Sequence, residues 1–218
     1  MLVSRQSDAN LDEAERGPKA RTGRLMLDTA VSLMQAGATP SVSEVAEAAG
    51  VSRATAYRYF PSQAALVSAV VGEGLGPILT WSSDSKEASQ RVADLIDTGM
   101  PRIESFEATF KAALKLSLEQ WSRAQAGTLG EEPRFERGHR VDLLRDAISP
   151  LRDSLSAANC ERLTQALSLA FGVEAIIVLK DIWGLDGEDA RGVAKWVASA
   201  LVEAAIREEC ASKEGGSD

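Results

Sequence analysis

The ten residues Val51 to Phe60 read VSRATAYRYF, and their side chains suit hydrogen bonding to a polyanion. On a helix beginning at Ser52, Arg53 lies near the N-terminal end, where a guanidinium can give two parallel hydrogen bonds to guanine O6 and N7. Ala54 is small enough for close approach and for contact with a thymine methyl. Thr55 can meet a phosphate or a base. The hydroxyls of Tyr57 and Tyr59 suit phosphate oxygens. Ser52 and Ser62 each head a helix, whose free N–H groups favour phosphate. Arg58 has no assigned role and meets either a phosphate or water. The competing reading is a helical hairpin with amphipathic tyrosines at its rim.

The charge distribution agrees with a local anionic partner. The 218-residue chain has a net charge of -8 and a pI near 4.9. Residues 16–63 nevertheless hold six Lys/Arg against three acids. Local sign matters more than the total for a polyanion, and the acidic remainder limits non-specific adhesion.

The elements that must position these residues are legible in the pattern. Met26, Leu27, Ala30, Leu33 and Met34 recur at helical spacing and predict a helix from about 22 to 36, ended at Gly37. Ser41 with Glu44 three residues later forms a capping-box pattern. Val42, Val45, Ala46 and Ala49 then face inward, and Gly50 stops this short helix. Ala46 is small where two helices would cross, Gly50 supplies a left-handed turn and Val51 fills the corner. These are the mechanical demands of a helix-turn-helix, whose second helix lies in the major groove. Ala56 and Phe60 would hold that helix to the core. A further helix runs from Ser62 to about 71.

Residues 22–70, and above all AGVSRATAYRYFPS, resemble the DNA-binding domain of the tetracycline-repressor (TetR) family. The resemblance implies a three-helix reading head on an α-helical regulatory body, working as a homodimer. It places Arg53, Ala54 and Thr55 in the base-contacting segment. It places Ser41, Ser43, Tyr57 and Tyr59 at backbone contacts. Gln63 occupies a phosphate-contact position where the family commonly carries a lysine, and Tyr59 stands where histidine is common. Arg16, Lys19, Arg21 and Arg24 suit the basic arm that often precedes the first helix, or form a solvated flank.

Ala and Leu are abundant, aromatics make up 5% and period-two alternation is nearly absent, so an all-α fold is expected throughout. Further helices are expected at about 86–99, 103–125, 139–156, 160–183 and 188–210. Pro101, the loop 126–138 and the turn 184–187 separate them, and Pro150 should break the segment it falls in. Asp186 looks like an N-cap. The middle helices would hold a small-molecule ligand of unknown identity. Trp81, Phe106, Phe110, Trp121 and His139 are its candidate lining, with ordinary packing as the competing role for each. The last two helices have broad apolar faces with small residues at Ala170, Gly172, Ala198 and Ala205. In the family the corresponding pair forms the dimer interface; intrachain packing is the alternative use.

A single histidine, Cys160 and Cys210 far apart, and no phosphate loop or nucleophile elbow argue against a metal site, a cofactor or catalysis. No N-terminal apolar signal is present, and the most apolar run, 166–179, is too short to span a bilayer. A cytoplasmic protein without a membrane partner is expected. The expected organisation is a flexible arm at 1–20, a reading head at 21–70, a ligand-binding and dimerisation domain at 71–211 and a disordered tail at 212–218. The expected activity is regulation of transcription at a near-palindromic operator in double-stranded DNA, most simply repression relieved by ligand. Activation, or a protein-interaction module with a vestigial head, remain open on sequence.

Overall fold

The computed structural model describes residues 17–215, all of whose regular structure is helical. The first helices are α1 (Pro18–Gln35), α2 (Val42–Ala48), α3 (Arg53–Tyr59) and α4 (Gln63–Leu75). After a 3-10 turn at Gly76–Thr80 come α5 (Ala88–Ser105), α6 (Glu107–Gln125) and α7 (His139–Ala147). A second 3-10 turn at Ser149–Leu151 precedes α8 (Ala157–Leu167). The chain closes with α9 (Val173–Ile176), a π-helical stretch at Ile177–Ile182 and α10 (Gly187–Gly215). Of the expected arm, residues 1–16 lie outside the described residues and α1 already begins at Pro18. Of the expected disordered tail, residues 212–215 are helical and 216–218 lie outside the described residues.

The chain folds as two units, one of residues up to 73 with 108–136 and one of residues 74–107 with 137 onward. In the first unit, Met26, Ala30 and Met34 form the fully buried stripe of α1, and Val42, Val45, Ala46 and Ala56 close the core beneath α2 and α3. Phe60 is only half-buried. The stretch Gln63–Thr80 reaches a mean hydropathy of 1.3 over 18 residues. Burial of Leu66, Val67 and Val70 explains its composition, and Glu73 on it pairs with Arg24 at 3.0 Å. Past α6 the chain returns through an irregular segment held by the buried Gln120. Its amide donates to Glu132 Oε1 and the Pro133 carbonyl, both at 3.1 Å, and its oxygen accepts the Phe135 N–H at 2.7 Å.

The second unit is organised around α5, whose buried residues Ala88, Arg91, Val92, Leu95, Ile96, Gly99, Met100 and Ile103 follow one helical stripe. The expected break at Pro101 does not occur. Proline removes one backbone donor, but Met100 and Ile103 continue the stripe, and their burial outweighs one missing bond. The helix ends instead at Phe106. Gly99 is needed for close packing, because a methyl there would lie 2.7 Å from the Phe171 ring. Pro150 does end the segment it falls in, since α7 stops at Ala147.

The expected helix 160–183 is interrupted at Ser168–Gly172, where Gly172 takes φ 123°. The Arg140 guanidinium donates to the carbonyls of Ser168 and Phe171, both at 3.0 Å, and so satisfies the exposed end of α8. No local sequence signal marks this break, because its partner lies 28 and 31 residues upstream. α10 packs on α5 and α8 through Ala190, Ala194, Ala198, Val202 and Ala205, a buried stripe of small side chains that permits close approach. Asp186 caps it, accepting the N–H groups of Glu188 and Asp189 at 2.9 Å.

Candidate nucleic-acid interface

The reading helix α3 is set by three local devices. Ser41 and Glu44 form a reciprocal capping box at the start of α2, with the Glu44 N–H on Ser41 Oγ at 3.2 Å and the Ser41 N–H on Glu44 Oε2 at 2.7 Å. The Ser41 backbone bond holds the Glu44 carboxyl below its usual range. Gly50 at φ 66° turns the chain, and the Val51 N–H closes on the Ala46 carbonyl at 2.8 Å. Ser52 caps α3, accepting from the Thr55 N–H at 3.2 Å and donating to Thr55 Oγ1 at 2.9 Å. Ser62 caps α4 through the Ala65 N–H at 3.1 Å.

Long-range contacts then fix this unit to its surroundings. The Tyr59 hydroxyl donates to the Lys19 carbonyl at 2.7 Å, and its ring packs within 3.2 Å of where a side chain on Gly23 would begin. Gln63 donates through Nε2 to the carbonyls of Thr39 and Pro40, both at 3.1 Å. Arg24 bridges Asp28 and Glu73, with its pKa raised chiefly by the Glu73 hydrogen bond.

Arg53, Ala54 and Arg58 are exposed, and so is Tyr57, at 46%. Ser43 lies beside Tyr57, with 3.5 Å between their hydroxyl oxygens. Arg58 stacks over the Tyr59 ring at 5.9 Å, which gives a structural use to the residue that sequence left unassigned. Thus Ser41, Ser43, Ser52, Arg53, Ala54, Thr55, Tyr57, Tyr59 and Ser62 all lie on or beside one helix-turn-helix, together with Gln63. Their availability differs. Tyr59 has already committed its proton to Lys19, and Gln63 its amide to the turn before α2. Ser41, Ser52 and Ser62 serve as caps. Among the described residues, Arg53 and Ala54 carry no such commitment.

The five candidate ligand residues fall in different units. Phe110 and Trp121 belong to the first, and Trp81, Phe106 and His139 to the second. Phe110 is buried, whereas Trp121 stands 65% exposed. Phe106 lies under the Arg102 guanidinium at 4.2 Å. Trp81 and His139 line a cleft of about 320 Å³ with Leu79, Asp142, Leu143 and Asp146. Sequence reading missed Asp142 and Asp146, although their mutual spacing of four, following His139, puts both on one side of α7. It also missed the buried Arg91, for which nothing local in the sequence is a signal. Among the described residues, no three His, Cys, Asp or Glu side chains are grouped as metal ligands.

A capped two-helix motif presenting an open arginine, on an otherwise helical chain, has the form of a helix-turn-helix unit. Residues 26–70 match the family model of the bacterial regulatory proteins of the tetR family. The fold is similar to the crystal structure of a TetR transcriptional regulator from Rhodococcus sp. RHA1. That likeness has a TM-score of 0.53 and 17% identity, covering 85% of this chain and 97% of that one. No curated protein sequence matches the chain. Over residues 26–70 the chain thus matches the tetR-family regulatory domain, and as a whole it shares the fold of that TetR regulator.

Proposed function

We propose that the protein is a homodimeric repressor that leaves a near-palindromic operator when a small molecule binds its helical body. The observation that carries the reading is the reading helix itself. Arg53 and Ala54 are exposed at its N-terminal end while Ala56, on the opposite side, is fully buried. Arg53, Ala54 and Thr55 read base edges. Ser43 and Tyr57 contact the backbone, and Tyr59 reaches a phosphate only by giving up its bond to the Lys19 carbonyl.

Dimerisation uses the C-terminal pair, π-stretch and α10. Ile182, Trp183 and Trp196 are 71%, 73% and 73% exposed, and Val178 and Val193 are exposed beside them in the sequence pattern. Large aromatic side chains of this kind are the usual anchors of protein interfaces. A two-fold pair of heads reads two half-sites separated by one helical turn or a multiple of it. Ligand acts by favouring one body conformation and thereby the spacing of the heads. The protein works in the cytoplasm, where its DNA is.

Selection of bound sequences from a random double-stranded pool tests the reading. The expected product is an inverted repeat whose affinity falls steeply with salt, as phosphate neutralisation requires. Recovery of no enriched sequence, or of a single half-site with flat salt dependence, overturns it. Repression is tested by placing the selected site within a reporter promoter.

A further inference from the structure

The cleft beside Trp81 faces a particular chemistry. Its lining is the indole of Trp81, the side chains of Leu79 and Leu143, the imidazole of His139 and the carboxylates of Asp142 and Asp146. Among the described residues, no lysine or arginine lines it. We infer that this cleft, of about 320 Å³, binds an organic cation, an ammonium group carried on a small aromatic or aliphatic body. The inference deepens the ligand-release reading by naming the ligand class, and it rests on that reading only for its consequence at the operator.

The cations nearby are already spent. Arg91 is buried, and its donors are taken by the carbonyls of Ser83, Asp146 and Ala147 and by Asp146 Oδ2 at 2.9 Å. It also stacks on Trp81 at 5.6 Å. Asp146 neutralises it there, so the indole does not present uncompensated positive charge to a ligand. Arg145 reaches Asp142 only at 3.7 Å and is directed instead to Glu161 at 3.2 Å. Asp142 is left 90% exposed, a carboxylate at the mouth of a cleft of mixed lining. An aromatic face and two leucines favour the body of such a ligand, and the indole and the Asp142 carboxylate favour its charge. A carboxylate ligand would meet Asp142 as a like charge.

The probe is benzyltrimethylammonium, compared by calorimetry on the full-length protein with neopentylbenzene, its uncharged isostere, and with 3-phenylpropionate. The cation is expected to bind at least tenfold more tightly than either. Asp142→Asn, at a solvated position, should weaken it about three- to tenfold with an unchanged melting temperature. Trp81→Leu should weaken it further, and Asp142→Glu should restore most of the affinity. Equal binding of the isostere, tighter binding of the carboxylate, no binding of the cation, or indifference to both substitutions overturns the inference. A cation that binds with this dependence yet leaves operator affinity unchanged preserves the cleft assignment and sinks the release mechanism instead.

Discussion

In the α2–α3 pair, the polar groups at each helix start are closed from within. Ser41 with Glu44 and Ser52 with Thr55 are partners three residues apart. In the C-terminal pair, the break at Ser168–Gly172 is closed from outside by Arg140, which also binds Glu174 at 2.6 Å from 34 residues away. Glu174 receives Arg137 as well. Further on, Lys180 joins Glu104 and Glu107 at 2.9 Å, and Arg191 reaches Glu104 at 3.4 Å. The surfaces differ in the same sense. The reading helix exposes Arg53, Ala54, Tyr57 and Arg58, and the C-terminal pair exposes tryptophans. A surface for DNA needs local rigidity and charge. A surface for a protein partner needs large apolar anchors, which longer-range packing must hold in place.

The contrast is tested most strongly at the tryptophans. Trp183→Ala and Trp196→Ala should each weaken self-association by about 2 kcal/mol or more, read by sedimentation equilibrium, with helix content unchanged. If both variants associate like the parent protein, the exposed face belongs to something else. Arg53→Ala should cost about 1–3 kcal/mol in operator binding and relax preference at one base pair. Fluorescence anisotropy on operators varied at each position would show this, and an undiminished preference would remove Arg53 from base reading. Ser52→Ala should lower stability by about 1 kcal/mol through loss of a cap, measured by urea unfolding; no change would mean that the reading helix does not depend on local capping.

The smallest effect concerns Glu174. Burial alone would raise its carboxyl, but the Arg137 hydrogen bond and the Arg140 charge hold it below the usual glutamate range. A depressed pKa contributes stability above the unfolded-state value, and that contribution is lost as pH falls through the folded-state value. Because the pair is partly exposed, Glu174→Gln should cost less than about 1 kcal/mol at neutral pH. The difference from the parent protein should vanish in acid. A difference that persists there would assign the loss to packing rather than charge.

The same contrast explains what the sequence could and could not disclose. The helices of the head, their caps and the outward position of Arg53 were legible because each depends on residues three or four apart. Pro101 misled, since the burial of Met100 and Ile103 decided that helix, and burial is a property of neighbours distant in sequence. The break at Gly172 was invisible for the same reason: Arg140 supplies the missing bonds. The cleft was half legible. Trp81 and His139 stood out by type, while Asp142 and Asp146 passed as ordinary surface acids, and Phe106, Phe110 and Trp121 were drawn in by type alone. Gln63 read as a missing charge, and it is engaged with the Thr39 and Pro40 carbonyls.

That last pair of hydrogen bonds has a further consequence. Gln63 ties the start of α4 to the turn before α2, and Tyr59 ties the end of α3 to α1. The reading helix therefore has little freedom to tilt by itself. The side chains of Arg53 and Ala54 sit outside this bracing. On the proposed function they are an interchangeable part, and exchanging them should redirect the protein to a new operator while leaving its response threshold as it was.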